Sequence, residues 1–194
     1  MGANPPGRGR VRAIIMLLEV ALLLGLKDIN GMERFPLKEE KGREAVLFFV
    51  TNDCPISNAF APEIARICSD YGPKGADCTL IYVDPSLSDG GARDHAKSYG
   101  HGNYPKIVDR KHELVKAAGV TITPEVAVFN ADGRIVYRGR IDNSYAALGQ
   151  SRRAATVHDL RDALDATLSG RPAPHPETKA LGCFIPDLAV MGAK

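Results

Sequence analysis

A cysteine at the junction between a strand and a helix is the feature that most constrains this chain. Residues Ala45–Thr51 form an apolar, β-prone run, which predicts a buried strand. After Ser57, residues of one helix face recur at steps of three or four: Phe60, Ile64, Cys68 and Tyr71. Cys54 therefore lies at a helix N-terminus, where unpaired N–H groups and the positive end of the helix dipole favour the thiolate. Because the thiolate is the reactive form, Cys54 is the candidate nucleophile.

The order of the predicted elements indicates an α/β protein. Turn residues at Asp28–Gly31 precede a short edge hairpin near Arg34–Leu37. The later elements alternate and end in a hairpin and a helix: Ala45–Thr51, a helix from about Asn58 to Tyr71, Cys78–Val83, a helix near Ala92–Tyr99, Pro105–Val108, a short helix at His112–Ala118, the hairpin strands Glu125–Phe129 and Arg134–Arg138, and a helix at Thr156–Leu168. Parallel strands linked by helices and followed by a hairpin predict a mixed central sheet flanked by helices. Thr156 and Asp159 have capping-box spacing at the start of the last helix.

The 194 residues suffice for one domain with an extension at each end. Three arginines precede an apolar run at residues 13–26, which is typical of a secretory signal and short for a membrane span. Glu19 within the run leaves open an amphipathic helix packed on the domain, or a start codon placed too early. We predict export to the periplasm, with residues 1–27 cleaved or kept as a membrane anchor. Residues 28–170 would form the domain, and the proline-rich residues 171–194 an extended, flexible tail that carries Cys183.

Composition and spacing exclude several classes of partner. The net charge is only +2 and tryptophan is absent, so nothing indicates binding to nucleic acid. No cysteine pair has C-x-x-C spacing, and the five histidines form no ligand motif, so no metal and no cofactor is predicted. The histidines are expected to be solvated or paired with polar groups.

Five sequence pieces in a fixed order resemble the thioredoxin superfamily, and within it the bacterial redoxin or peroxiredoxin-like group. They are Phe48–Ser57, Thr123–Phe129, Asp132-Gly133, Val136–Asn143 and Thr178–Cys183. The resemblance implies a thioredoxin-like fold in which Pro124 is a cis-proline packed against the reactive cysteine. The alternative for Pro124 is an ordinary trans proline at the start of an edge strand.

The C-x-x-C motif of thioredoxins is altered here, because Ser57 stands where the second cysteine would be. Ser57 can donate a hydrogen bond to a Cys54 thiolate, but it cannot resolve a mixed disulfide. Cys183 in the tail is the candidate resolving thiol, the alternative being a buried or idle cysteine. The carboxylate of Asp53 next to Cys54 would oppose the thiolate.

The peroxiredoxin pattern P-x-x-x-T-x-x-C is only partly present. Thr51 fits and is a candidate hydrogen-bond donor to Cys54, whereas Leu47 occupies the proline position. The expected arginine of a later strand aligns near Pro124, which removes one charge that would stabilise a bound peroxide.

Two further groups of residues have more than one interpretation. Cys68 and Cys78 could form a disulfide in an oxidising compartment, or they could remain buried thiols. Arg138, Arg140 and Asp142 could line the rim of the active site, although local salt bridges at a solvated edge are the simpler interpretation.

The leading hypothesis is a thiol-dependent oxidoreductase of redoxin type. Cys54 and Cys183 would carry the chemistry, Thr51 and Ser57 would donate hydrogen bonds, and Pro124 would shape the substrate groove. Electrons would come from a thiol protein or a small thiol. The alternatives are a weak peroxidase that forms a Cys54 sulfenic acid on a peroxide substrate, or a non-catalytic binding or metallochaperone module.

Overall fold

The computed structural model describes residues 25–37 and 42–188. Residues 13–24 of the predicted signal or anchor lie outside the described residues. Within the described ranges, no helix is both long enough and apolar enough to cross a membrane.

A five-stranded mixed sheet forms the centre of the protein, and it confirms the predicted fold class. Its strands are β3 (Glu44–Val50), β4 (Ala76–Tyr82), β5 (Lys106–Val108), β7 (Glu125–Phe129) and β8 (Ile135–Gly139). They lie in the order β5-β4-β3-β7-β8. β3 and β5 run parallel to β4, while β7 runs antiparallel to both β3 and β8. All residues of β3 are buried, as expected for the central strand.

Four α-helices surround this sheet in the described ranges: α1 (Pro55–Tyr71), α2 (Asp89–Ser98), α3 (Glu113–Ala118) and α4 (Asp159–Thr167). α1 begins three residues before the predicted start, because proline is well tolerated in the first helical turn and Cys54 takes the N-cap position. α3 ends as predicted, at Gly119, whose φ of 66° is readily adopted by glycine.

Alternate residues of β3 face two separate hydrophobic cores. Phe48 points to the larger core, where it joins Ile64 of α1 and Leu160 of α4. Phe49 points to the other face and joins Leu114 of α3. All five side chains are fully buried. Packing on both faces of the sheet therefore holds β3, and with it the start of α1, in place.

The predicted capping box at the start of the last helix is wrong. α4 begins at Asp159, and its N-cap, His158, makes no side-chain capping hydrogen bond. Asp159 instead accepts a hydrogen bond from Arg140 at 2.7 Å. Thr156 is held by Asn143, whose side-chain oxygen accepts from the Thr156 N–H at 2.8 Å. Tertiary partners therefore replaced the local cap that the spacing suggested.

Short strand pairs complete the fold: β1 (Leu26–Lys27) with β2 (Glu33–Arg34), β9 (Tyr145–Ala147) with β10 (Gln150–Ser151), and β6 (Ile122–Thr123) with β11 (Cys183–Phe184). The first pair is a hairpin that encloses the predicted turn at Asp28–Gly31, so its strands lie on either side of that turn and not at Arg34–Leu37 as predicted.

The C-terminal tail is extended as predicted, but it is docked on the domain along residues 176–185. The Arg138 N–H donates to the Pro176 carbonyl at 2.9 Å, and the Thr178 N–H donates to the Arg138 carbonyl at 3.0 Å. The hydroxyls of Thr178 and Tyr137 lie 2.8 Å apart. The prediction of a flexible tail is therefore wrong for this stretch, because its polar groups find partners on β8.

The arginines after the hairpin form local ion pairs, as the simpler interpretation predicted. Arg138 pairs with Glu177 of the tail, and Arg140 pairs with Asp159 at 2.7 Å. These contacts tie the tail and α4 to β8 and its C-terminal end.

Candidate active site

Cys54 lies directly after β3 and caps the N-terminus of α1. Its carbonyl accepts the Asn58 N–H at 3.0 Å, and its side chain makes no capping hydrogen bond to the helix. The residue is only 1% exposed. Its Sγ lies 3.5 Å from the Thr123 carbonyl oxygen, to which the thiol can donate. The junction thus presents one sulfur to the loop before β7.

That loop contains a cis peptide bond between Thr123 and Pro124, as the family resemblance implied. The bond lies between β6 and β7. Thr123 is fully buried, and its hydroxyl lies 3.3 Å from that of Thr51. In this structure the Thr51 hydroxyl is paired with the Thr123 hydroxyl, and the donor role of Thr51 toward Cys54 stays a prediction.

Cys183, in the C-terminal tail, lies next to Cys54. The Cys183 thiol donates to Cys54, with 2.9 Å between the two sulfur atoms. A disulfide bond is about 2.05 Å long, and both cysteines are free thiols in this structure. Pairing of β11 with β6 sets Cys183 opposite Thr123. Residues 129 positions apart are thus brought together by a strand register.

Gly182 allows the tail to pack closely against the loop at Thr123 and Pro124. The sequence analysis had named this glycine only as a neighbour of Cys183 and had given it no role. A Cβ at Gly182 would lie 1.9 Å from the Thr123 carbonyl oxygen and 2.7 Å from its carbonyl carbon. Both are backbone atoms that cannot rotate away. Only glycine lets the tail approach the loop at Pro124 this closely.

The two sulfurs of the pair are electrostatically unequal. Burial opposes the Cys54 thiolate, but hydrogen bonds from Cys183, from Ser57 and from the Ile56 N–H outweigh burial and lower the Cys54 pKa. The hydrogen bond to Cys54, burial and the charge of Asp53 together raise the pKa of Cys183 to about 11. This difference favours the thiolate at Cys54 and the protonated thiol at Cys183.

Ser57 is buried beside Cys54, and its hydroxyl has no well-formed hydrogen-bond partner in the thiol state. A thiolate at Cys54 would supply the missing acceptor, which explains why this hydroxyl helps to lower the Cys54 pKa.

Replacing Ser57 with alanine should make Cys54 less reactive at neutral pH. Loss of the hydroxyl raises the Cys54 pKa toward its ordinary value, so the thiolate fraction below that pKa falls. The loss of one hydrogen bond to a charged group predicts alkylation about threefold to tenfold slower at pH 7. The rate of iodoacetamide alkylation as a function of pH measures this. Both proteins should reach the same alkylation rate at high pH, which is the internal control. An unchanged pH profile in Ser57→Ala would contradict the role of Ser57 in lowering the Cys54 pKa.

One histidine contributes to the surroundings of Cys54, which the sequence did not indicate. His95 Nε2 lies 2.9 Å from Asn58 Oδ1, and Asn58 Nδ2 donates to the Asn52 carbonyl at 3.0 Å. His95 Nδ1 lies 3.0 Å from the Tyr82 hydroxyl. Burial lowers the His95 pKa, so the ring is neutral and supports the turn before Cys54 through Asn58.

No group of three or more potential metal ligands occurs in residues 25–37 and 42–188.

A strand–cysteine–helix junction, a cis-proline loop and a second thiol at 2.9 Å define a dithiol protein of thioredoxin fold. The sequence profile of the redoxin family, described as Redoxin, matches residues 26–154. The chain belongs to the redoxin family.

The chain also resembles named redox proteins. Thiol-disulfide oxidoreductase ResA of Halalkalibacterium halodurans is 24% identical over 126 residues, which cover 64% of this chain and 69% of that protein. ResA of Bacillus cereus is 25% identical over 109 residues, covering 56% of this chain and 61% of that protein. The chain thus spans about two thirds of the length of these relatives.

Two solved structures show the same fold. An uncharacterized conserved protein from Geobacillus kaustophilus has a TM-score of 0.73 at 28% identity, covering 84% of this chain and 87% of that one. A secreted Mycobacterium tuberculosis disulfide oxidoreductase homologous to E. coli DsbE has a TM-score of 0.55 at 19% identity. It covers 77% of this chain and 98% of that protein, and the likeness concerns the fold alone.

Proposed function

We propose that this redoxin is a thiol–disulfide oxidoreductase in which Cys54 is the nucleophile and Cys183 the resolving thiol. The observation that carries the proposal is the 2.9 Å separation of the two sulfurs, with Cys183 held by strand pairing. The lowered pKa of Cys54 and the raised pKa of Cys183 support this division of roles.

The reaction balances within this pair. The Cys54 thiolate attacks one sulfur of a substrate disulfide, forms a mixed disulfide and releases the other substrate sulfur as a thiolate. Cys183 then gives up its proton and attacks Cys54 Sγ, which releases the second substrate thiol and leaves a Cys54–Cys183 disulfide. Two electrons pass from the protein to the substrate. A reduced thiol protein or small thiol returns them in the reverse sequence.

The substrate groove would be the surface around Pro124. Phe184, next to Cys183, is 81% exposed, so the tail offers a large apolar side chain beside the reactive sulfurs. A disulfide-bearing protein partner is supported by the ResA relatives, which are named thiol-disulfide oxidoreductases. A peroxide is the second candidate oxidant. It would convert Cys54 to a sulfenic acid, and Cys183 would then condense with this sulfenic acid to give the same disulfide and water.

Export belongs to the same proposal. Residues 1–27 would serve as a signal or membrane anchor, residues 28–170 as the redox domain and residues 171–194 as the tail that supplies Cys183. The arginine-then-apolar pattern of the sequence supports this. In an oxidising compartment a Cys54–Cys183 disulfide could form and persist.

Mapping the cysteines after mild oxidation tests the proposal. The reduced protein is treated with one equivalent of glutathione disulfide, or in a second arm one equivalent of hydrogen peroxide, and then alkylated and digested. We expect a Cys54 peptide linked to a Cys183 peptide. A Cys54 mixed disulfide or sulfenate with Cys183 free would mean a one-cysteine mechanism that depends on an outside thiol. An unmodified Cys54 would contradict the proposal and favour a binding module.

A further inference from the structure

A second pair of cysteines lies at the other end of α1. Cys54 caps the start of the helix, and Cys68 lies in its last turns, about 20 Å further along the axis at 1.5 Å per residue. Cys78 lies near the start of β4. Cys68 and Cys78 line the same cleft, the pKa of Cys68 responds to Cys78, and both cysteines are free thiols. The proposed reaction of Cys54 and Cys183 uses neither of them.

Both residues line a cleft of about 480 Å³. That volume is within the range of small-molecule sites. Cys78 is 7% exposed and belongs to the larger hydrophobic core, while Cys68 is half-buried and packs against that core, so the two side chains lie between the core and the cleft. Arg43, Ser69, Asn103 and Tyr104 also line the cleft, which makes it polar around the two thiols.

The backbone on each side of the pair is fixed. The Gly72 N–H donates to the Cys68 carbonyl and closes the end of α1. Gly75 then accepts the Glu44 N–H at 2.8 Å, where β4 begins beside β3. The backbone positions of Cys68 and Cys78 are therefore set by the helix end and the strand start, and they do not depend on the tail.

A lysine supplies positive charge beside the pair. Lys106 Nζ donates to the Gly102 carbonyl at 2.6 Å and to the Tyr104 carbonyl at 2.8 Å. Its charge favours the Cys68 thiolate, but burial and the contact with Cys78 act more strongly and raise the Cys68 pKa. The raised pKa favours the protonated thiol at Cys68, so the first attack is assigned to Cys78.

We propose that Cys68 and Cys78 form a second thiol–disulfide site, which reacts with a low-molecular-weight disulfide that enters the cleft. The Cys78 thiolate attacks one sulfur of the small disulfide, forms a mixed disulfide and expels one small thiol. Cys68 attacks Cys78 Sγ, forms the Cys68–Cys78 bond and expels the second small thiol. The two protein thiols lose two protons and two electrons, and the small disulfide becomes two thiols.

The experiment isolates this pair from the first one. The full chain carrying Cys54→Ser and Cys183→Ser is reduced and then equilibrated in buffers of increasing ratio of glutathione disulfide to glutathione. Remaining thiols are alkylated, and the protein is digested with trypsin. Because Lys74 lies between the two cysteines, cleavage there leaves a disulfide as the only link between the two peptides. Wild-type protein is digested in parallel, in case the double variant does not fold.

We expect the Cys68 peptide and the Cys78 peptide to be linked by a disulfide, with no glutathione attached to either. Both thiols should become resistant to alkylation at the same ratio of glutathione disulfide to glutathione. Adding Cys68→Ser should stop the reaction at glutathionylated Cys78, while adding Cys78→Ser should leave Cys68 at least about tenfold less modified. The proposal would be overturned by both cysteines remaining alkylated at the most oxidising ratio, or by separate glutathionylation of each. Since Cys54 and Cys183 are absent, either result leaves the proposed function untouched.

Discussion

Cys54→Ser should reduce thiol–disulfide exchange activity by at least about 10³-fold, the scale seen when a nucleophile is removed from a catalytic unit. Serine keeps the size and a hydrogen-bonding group at the start of α1, but its hydroxyl cannot exchange with a disulfide. The side chain is 1% exposed and contacts Thr123 and Cys183, so the substitution acts on the reacting sulfur itself. Reduction of a disulfide-bonded test protein such as insulin, with dithiothreitol as electron source, measures the loss.

Cys183→Ser separates the two proposed roles. With the resolving thiol removed, Cys54 still attacks, so a mixed disulfide with the substrate should accumulate and should be visible by non-reducing electrophoresis. Gly90→Ala is the control, because Gly90 lies within α2, outside both cysteine pairs, and this variant should leave insulin reduction unchanged. Full activity in Cys54→Ser would exclude the proposed mechanism.

Gly182→Ala should uncouple the tail from the active site while leaving both cysteines in the chain. The new Cβ would lie 1.9 Å from the Thr123 carbonyl oxygen, so β11 must move away from β6 and take Cys183 from its position beside Cys54. Displacement of a reacting group by about 1 Å can cost about 10²-fold in rate. We therefore expect formation of the Cys54–Cys183 disulfide to slow by about that factor, as followed by rapid acid quench and alkylation.

Gly90→Ala is the matched control for Gly182→Ala. Gly90 lies within α2, and the nearest atom to its Cβ would be Ser88 Oγ at an ordinary 3.8 Å. This variant should form the disulfide at the wild-type rate. If Gly182→Ala also did so, the pairing of β11 with β6 would not be what delivers Cys183. Iodoacetamide should still alkylate Cys54 in both variants, which shows that α1 and the first sulfur are intact.

The sequence contained enough information to predict the fold and the first half of the site. The apolar run of β3, the helical spacing after Ser57 and the turn residues around Gly133 are local patterns. The structure has the predicted strand, helix and hairpin at these places. The reactive position of Cys54 follows from that local order alone. The cis conformation at Pro124 came from the resemblance to a family, since an X-Pro pair by itself is compatible with either isomer.

The second half of the site depended on long-range contacts that no local pattern encodes. Gly182 is required by the carbonyl of Thr123, and Thr178 docks the tail through Tyr137, both across large sequence separations. Asp159 was predicted as a capping residue because its spacing to Thr156 fitted, but Arg140 competes for its carboxylate. The motif predicted a hydrogen bond from Thr51 to Cys54, whereas in the structure the Thr51 hydroxyl lies next to the Thr123 hydroxyl.

The long separation between Cys54 and Cys183 has a thermodynamic consequence. A bond between residues 129 positions apart would close a loop that includes most of the folded chain. In the chain-entropy description, such a loop removes about 5 kcal/mol of conformational freedom from the unfolded state. Each turn of the redox cycle would then also change the resistance of the protein to unfolding, with the oxidised form the more robust. By linkage, a condition under which the reduced form unfolds while the oxidised form stays folded would shift the population between the two redox states.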